Sequence, residues 1–169
     1  GRIYTCKTLH EYMDIGSYPS LIKAIMTSNN DKYLETSCSS FVNAYLDRLN
    51  KCFDGSILEK IEFLAVSLKD AWKNGNQVFL CGNGGSAGNA IHIANDFIYG
   101  VGACGEKPVL PGLRVEALTA NPAVMSCLGN DIGFENIFSH QIDVKGKQDD
   151  ILIVLSGSGN SPNVVNALK

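Results

Sequence analysis

Three short apolar runs, each bounded by glycine or polar residues, constrain the fold of this chain most. They are Gln77–Cys81, Leu113–Leu118 and Ile151–Leu155, with helical patterns between them at residues 86–99, 122–128 and 134–142. Strands that alternate with helices form a parallel sheet covered on both faces. The sequence therefore predicts an α/β fold, a three-layer αβα sandwich with a parallel sheet, preceded by N-terminal helices.

Two amphipathic patterns precede these runs, at Asp31–Leu49 and Ile57–Trp72, and they fit helices that cover a sheet or pack against a partner subunit. Tyr18-Pro19-Ser20 predicts a break before a short helix over Leu21–Met26. We therefore predict an N-terminal helical segment over residues 1–74 and a core over residues 75–169. Because only three strands are visible and a helical pattern runs to Lys169, we expect the core to be truncated at its C-terminus.

Composition points to a small-molecule partner. A net charge of -3 with 18% charged residues gives no extended cationic face, so nucleic acid and anionic membranes are not expected partners. No apolar run approaches the roughly 20 residues that span a bilayer. The six cysteines form no C-x-x-C pair, which predicts small buried hydrophobic residues with free thiols in a reducing cytoplasm.

The first apolar run leads into Gly82-Asn83-Gly84-Gly85-Ser86, with Ser86 predicted as a helix N-cap. Glycines allow a ligand close to the backbone, and N–H groups at a helix start attract phosphate or hydroxyl groups. A tight turn without a ligand is an alternative. A dinucleotide fingerprint, G-x-G-x-x-A, also matches, but it requires an acidic residue about 20 positions later, and Glu116 comes too late.

The third run leads into Ser156-Gly157-Ser158-Gly159-Asn160-Ser161-Pro162, where Ser161 is predicted to cap a helix that begins at Pro162. Three hydroxyls and several N–H groups lie together without Lys or Arg, which suits a phosphate monoester held by neutral donors. A ligand-free turn explains the glycines and the cap but not the excess of serines. Loops at the carboxyl ends of parallel strands lie where open α/β sheets bind ligands.

The helix after Ser86 has a predicted sheet-facing stripe and a polar side. The stripe consists of Ala87, Ala90, Ile91, Ala94, Phe97, Ile98 and Val101. His92 and Asp96 lie off it at i, i+4 spacing, about one turn apart. Such a pair can share a divalent metal or act in proton transfer, or it can be an ordinary surface pair.

Three motifs in order resemble the sugar isomerase (SIS) domain family, and within it the phosphoheptose isomerases. They are Cys81–His92, Gly129–Glu135 and Ser156–Pro162, and the similarity extends over about residues 33–169. The resemblance implies a SIS-type αβα sandwich in a homotetramer with active sites between subunits. It also implies a phosphorylated sugar substrate, with conversion of sedoheptulose 7-phosphate to D-glycero-D-manno-heptose 7-phosphate for bacterial surface polysaccharide.

Site residues follow from the resemblance position by position. The substrate-binding residues it implies are Asn83, Gly84, Gly85, Ser86, Asp96, Asn130, Asp131, Ser156, Gly157, Ser158 and Ser161. His92 matches a zinc ligand, which makes zinc a possible cofactor. Asp96 stands where the family carries a Glu that binds zinc and acts as the base, as ketose-to-aldose exchange through an enediolate requires.

Three departures from the family pattern open an alternative. Aspartate is one methylene shorter than glutamate, and Gly157 replaces the usual threonine of the phosphate loop. The family's remaining metal ligands and general acid, a Gln and a His, have no matching positions up to Lys169. A non-catalytic SIS protein that binds sugar phosphates in regulation or assembly is therefore the alternative to the isomerase.

Overall fold

The computed structural model describes residues 2–4, 38–53, 55–103 and 111–169. Its elements are β1 (Arg2–Tyr4), α1 (Cys38–Lys51), α2 (Gly55–Asn74), β2 (Gln77–Gly82), α3 (Gly85–Asn95), β3 (Arg114–Ala117), α4 (Pro122–Asp131), α5 (Ser139–Lys145), β4 (Ile151–Leu155) and α6 (Pro162–Asn166). A π-helical turn at Asp96–Gly100 and a short turn at Val101–Ala103 follow α3, and a 3-10 turn at Phe134–Asn136 precedes α5. The predicted break at Tyr18-Pro19-Ser20 and the helix over Leu21–Met26 lie outside the described residues.

The sheet is parallel, in the order β1-β4-β2-β3. The three predicted strands are present within one residue of their predicted bounds, so the α/β fold class is confirmed. β1 was not predicted, because three residues are too few to show alternation; it pairs with β4 from Arg2↔Ile151 to Tyr4↔Ile153. The chain therefore crosses over β2 on its way from β3 to β4.

Alternate residues of the strands build two separate cores, one on each face of the sheet. Val78 and Leu80, both 0% exposed, pack with Ala90 and Ala94 of α3. Phe79 and Cys81 point the other way and pack with Phe138 and other residues of the second helical layer. β2 is thus buried on both faces, which agrees with its uninterrupted apolar run at Val78–Cys81. The three-layer sandwich is confirmed.

The chain divides into two compact units, Gly1–Tyr12 with Ser67–Lys169, and Met13–Val66. The first contains the sheet and the site described below. The second contains α1, whose Phe41, Val42 and Leu46 are each more than 40% exposed. The division into a segment over residues 1–74 and a core over 75–169 remains a prediction. Among the described residues, no helix combines the length and apolar character that crossing a membrane requires.

Candidate functional site

The loops after β2 and β4 meet at one point of the carboxyl edge of the sheet. The two strands are neighbours, and their last residues, Gly82 and Leu155, are paired in register. The helices that follow pack on opposite faces, α3 with the first core and α6 with the second. The two chain segments therefore diverge above these strand ends and leave a crevice between them. Open parallel sheets bind ligands in such a crevice.

Glycine is required at two positions of the first loop. A Cβ on Gly82 would lie 2.7 Å from the carbonyl oxygen of Leu155 and 2.7 Å from the Cβ of Ser86. Gly84 has φ 54°, in the region that L side chains rarely adopt. The prediction that Ser86 is the N-cap was wrong: Gly84 is the cap and α3 begins at Gly85, because the Asn83 carbonyl already accepts from the N–H of Ser86 at 3.0 Å.

The serines of the second loop lie where the sequence predicted them, but their hydroxyls make different hydrogen bonds. Ser161 is the N-cap of α6 and Pro162 its first residue, although the Ser161 hydroxyl makes no capping bond. The hydroxyls accept from loop amides instead: Gly159 N–H to Ser156 Oγ is 3.1 Å and Asn160 N–H to Ser158 Oγ is 3.2 Å. Ser156 and Ser161 lie with their oxygens 3.4 Å apart. Two of the three hydroxyls are thus in contact, and Gly157–Asn160, which includes Ser158, is exposed to solvent.

A residue that the sequence analysis missed connects the two loops. Asn163, in the first turn of α6, is 2% exposed, and its carboxamide exchanges two hydrogen bonds of 2.9 Å with that of Asn83. The two residues are 80 positions apart, so no local pattern announces the pair. The signal available in the sequence was one polar residue, Asn163, directly before the apolar Val164 and Val165.

His92 and Asp96 form a solvent-exposed pair further along the same helix. Nε2 of His92 lies 3.5 Å from Oδ2 of Asp96, and their side chains are 76% and 56% exposed. At 1.5 Å of rise per residue, Asp96 lies roughly 15 Å along the helix from Ser86. Within one chain the pair is therefore well separated from the Ser86 end of the crevice.

Asp96 also marks the point where regular α-helix ends. The π-helical turn begins at this residue, and the carbonyl of Phe97, within the turn, accepts from Leu113 N–H at 2.8 Å. A wider turn changes which residues face the sheet. Single π-turns inside helices occur often at functional sites.

The predicted stripe of this helix was correct for its first part and wrong for its end. Ala90 and Ala94 are buried, and Ala87 and Phe97 are half-buried. Ile91, Ile98 and Val101 are 45%, 56% and 36% exposed. Regular 3.6-residue spacing does not hold through the π-turn, which explains the exposure of Ile98 and Val101, whereas Ile93 takes the inner position that was assigned to Ile91.

The His92–Asp96 pair is compatible with part of a metal site. Two ligands about 2.1 Å from a tetrahedral Zn²⁺ are about 3.4 Å apart, close to the observed separation. A catalytic zinc usually takes three protein ligands. Within residues 38–53, 55–103 and 111–169 no group of three His, Cys, Asp or Glu side chains converges, so these residues supply two ligands.

Asn130 and Asp131 are the last residues of α4. Asn130 Nδ2 donates to Asp131 Oδ1 at 2.7 Å, and the Cys127 thiol donates to Asp131 Oδ2 at 3.4 Å. This hydrogen bond, together with the charge of the carboxylate, raises the pKa of Cys127. In the described residues, the hydrogen bonds of the Asn130 and Asp131 side chains stay within α4 and do not reach the two loops.

The prediction that the cysteines are buried holds for Cys81 and was wrong for Cys52 and Cys127, which are exposed. All three are free thiols, as predicted. Burial in the second core, with Phe79 and Phe138, raises the pKa of Cys81 to about 12. The Cys81 thiol therefore stays protonated and is a packing group rather than a nucleophile.

Two clefts, both open to solvent, lie elsewhere in the described residues. One, of about 460 Å³, lies between α4 and α5 and is almost entirely apolar, with Val124, Leu128 and Val144 in its lining. The other, of about 290 Å³, lies at the amino ends of β2 and β3 and is lined mainly by charged groups. Neither includes a residue of the two loops.

The comparisons with known proteins agree with this architecture. The SIS domain family model matches residues 40–169, and the chain belongs to this family. It is 40% identical over 116 residues to phosphoheptose isomerases of Aneurinibacillus thermoaerophilus and Clostridium acetobutylicum. Each match covers 69% of this chain, and 56% and 57% of the respective relative, so the chain spans little more than half of the length of these proteins.

A solved structure of a phosphoheptose isomerase from Francisella tularensis has the same fold. The sequence identity is 33% and the TM-score is 0.54, over 73% of this chain and 67% of that one. The resemblance read from the three motifs is therefore confirmed at the level of the SIS family and fold.

Proposed function

We propose that the protein is an isomerase that converts sedoheptulose 7-phosphate to D-glycero-D-manno-heptose 7-phosphate, for the heptose of bacterial surface polysaccharide. One observation carries the proposal. Two neutral loops, rich in hydroxyl and amide groups, follow adjacent strands, and the Asn83–Asn163 pair joins them. Relatives named phosphoheptose isomerase, at 40% identity, support the choice of substrate.

In this proposal the second loop holds the phosphate. Ser156, Ser158 and Ser161 supply hydroxyl donors, and the amides of Gly159 and Asn160 exchange their present bonds to serine oxygens for phosphate oxygens. Those bonds, at 3.1 and 3.2 Å, join neutral groups, whereas bonds to an anion are shorter and stronger. The first loop, Asn83–Ser86, faces the sugar, with Asn130 and Asp131 as further contacts.

Asp96 is the proposed general base. It removes a proton from C1, the hydroxyl-bearing carbon beside the C2 carbonyl of the ketose, which gives an enediolate. A proton then passes from the C1 oxygen to the C2 oxygen, and Asp96 returns its proton to C2, so that the aldehyde forms at C1. His92, 3.5 Å away, and Asp96 would both bind zinc, which supplies electrostatic stabilisation to the developing oxyanion. The exposure of Asp96 leaves it accessible to a substrate.

We further propose a cytoplasmic homotetramer with active sites shared between subunits. Two observations support it: the crevice lies about 15 Å from Asp96 along α3, and Ile98 and Tyr99 next to that carboxylate are 56% and 74% exposed. A neighbouring subunit that covers this apolar surface would bring its own loops towards Asp96.

The second candidate is a non-catalytic protein that binds sugar phosphates in regulation or assembly. Asp96 favours it, since a carboxylate one methylene too short can be displaced by about 1 Å, enough to reduce a rate by about a hundredfold. Gly157 in place of a hydroxyl residue weakens phosphate binding in either case.

The deciding experiment is turnover of sedoheptulose 7-phosphate by the full-length protein, with and without added zinc. The isomerase predicts product, a loss of about 10²- to 10⁴-fold in kcat for Asp96→Ala, and retained substrate binding. Asp96→Glu is the matched variant, which restores the longer side chain and is expected to retain activity. Binding without turnover in the parent protein and in Asp96→Glu would instead establish the non-catalytic candidate.

A further inference from the structure

The Asn163 carboxamide has a fixed orientation. Its Oδ1 accepts from the backbone N–H of Val164 at 3.0 Å as well as from Asn83 Nδ2 at 2.9 Å. Its Nδ2 donates to Asn83 Oδ1 at 2.9 Å. A rotated amide would place its nitrogen against the Val164 N–H, so the main chain of α6 determines which way Asn163, and therefore Asn83, points.

Asn83 transmits this constraint to the first loop. Its carbonyl oxygen accepts from the N–H groups of Ser86 and Ala87 at 3.0 and 3.4 Å, which forms the start of α3. One residue thus connects α3 through its main chain and α6 through its side chain. The two loops are joined as a single unit, and Asn163 is buried while Asn83 remains half-buried at the surface.

Building on the proposed function, we propose that Asn163 is a positioning residue that sets the spacing between the sugar-facing loop and the phosphate-holding loop. It acts through Asn83 and does not touch the ligand. A ligand that contacts both loops, a phosphorylated sugar, depends on this spacing. Inorganic phosphate, which occupies the second loop alone, does not.

The test compares these two ligands in the full-length protein by titration calorimetry. Asn163→Leu has a similar size and removes all three hydrogen bonds. We expect the Kd for sedoheptulose 7-phosphate to rise about tenfold or more, from loss of hydrogen bonds in a buried pair, and the Kd for phosphate to change less than about twofold. The control is Asn166→Leu. Asn166 lies on the same helix, and its Nδ2 donates to the Glu135 carbonyl at 3.1 Å, so this change should alter neither of the two Kd values.

A double-variant cycle separates positioning from general support. Asn83→Leu should show a selective loss at least as large, because it also removes a sugar-facing side chain. Adding Asn163→Leu to Asn83→Leu should cause little further loss, because the pair is already broken. Should Asn163→Leu fail to fold, Asn163→Asp keeps both acceptor bonds but sets a carboxylate oxygen against Asn83 Oδ1, and the same selective loss is expected.

Equal weakening of both ligands, or additive losses in the double variant, would overturn the positioning role. So would a parent protein that binds the sugar phosphate no more tightly than phosphate. Tight and selective binding without turnover would overturn only the isomerase, since the calorimetric comparison does not depend on catalysis.

Discussion

The two ends of the sheet differ in charge: the carboxyl end carries neutral polar groups, and the amino end carries charged ones. At the carboxyl end, the loops at 82–86 and 156–162 contain serine, asparagine and glycine but no charged residue. At the amino end, charged groups pair closely: Lys145 Nζ lies 2.6 Å from Glu116 Oε1, and Asp150 accepts from the N–H of Gln77 at 2.8 Å. Arg114 donates to the Gly75 carbonyl at 2.9 Å.

This difference indicates that the two ends have different roles: the amino end holds strands together, and the carboxyl end can bind a ligand. The amino-end groups satisfy one another through short, charge-assisted bonds and hold the strand starts together. The serine-loop bonds, at 3.1 to 3.4 Å between neutral groups, are the weaker ones and can be exchanged for those of an anion. The weaker, exchangeable bonds therefore favour the carboxyl end as the ligand-binding end that we propose.

The largest effect should come from adding one methyl group under the carboxyl-end loops. Gly82→Ala places a Cβ 2.7 Å from the backbone oxygen of Leu155, so β2 and β4 must separate, at a cost of about 2 kcal/mol in the free energy of unfolding. Gly88→Ala in α3 is the control, since its Cβ meets nothing within 4 Å and it should stabilise by up to about 1 kcal/mol. Denaturant melts of both measure this, and unchanged stability of Gly82→Ala would contradict the close approach.

A smaller effect is expected for one hydroxyl of the serine loop. Ser158→Ala should raise the Kd for sugar phosphate about tenfold and leave stability unchanged, because Ser158 is exposed and its hydroxyl accepts a hydrogen bond from the Asn160 amide within the same loop. Ser126→Ala, an exposed serine of α4, is the control. Calorimetry with NAD belongs in the same experiment: NAD binding that is indifferent to Ser158→Ala would favour a nucleotide-binding protein over a sugar-phosphate site.

The smallest effect should be at the amino end. Glu116→Gln removes the charge that faces Lys145, while Lys145 keeps its bond to Gln141 Oε1 at 3.1 Å. The side chains of Lys145 and Glu116 are partly exposed, at 34% and 43%, so the loss should be about 0.5 kcal/mol and should shrink as salt is added. Ligand affinity should not change. A large fall in sugar-phosphate affinity in this variant would break the distinction between the two ends.

Much of the fold was predictable because its signals are local. The apolar runs at residues 77–81 and 151–155 give strands, since a strand buried on both faces shows no polar alternation. Glycine- and serine-rich segments directly after them give loops. β1 was missed because three residues carry no pattern. The π-turn at Asp96 was missed because the spacing of apolar residues does not show where a helix changes from α- to π-type hydrogen bonds.

The order of the three longer strands and their helices, the composition of the two loops and the spacing of His92 and Asp96 can all be read along the chain, because each depends on neighbouring residues. The tertiary structure alone decided that β4 lies beside β2 and that the helices after them leave on opposite faces. It also decided that Asn163 reaches Asn83 across 80 residues. A pairing between distant segments follows from which surfaces are buried together, and no short stretch of sequence records that.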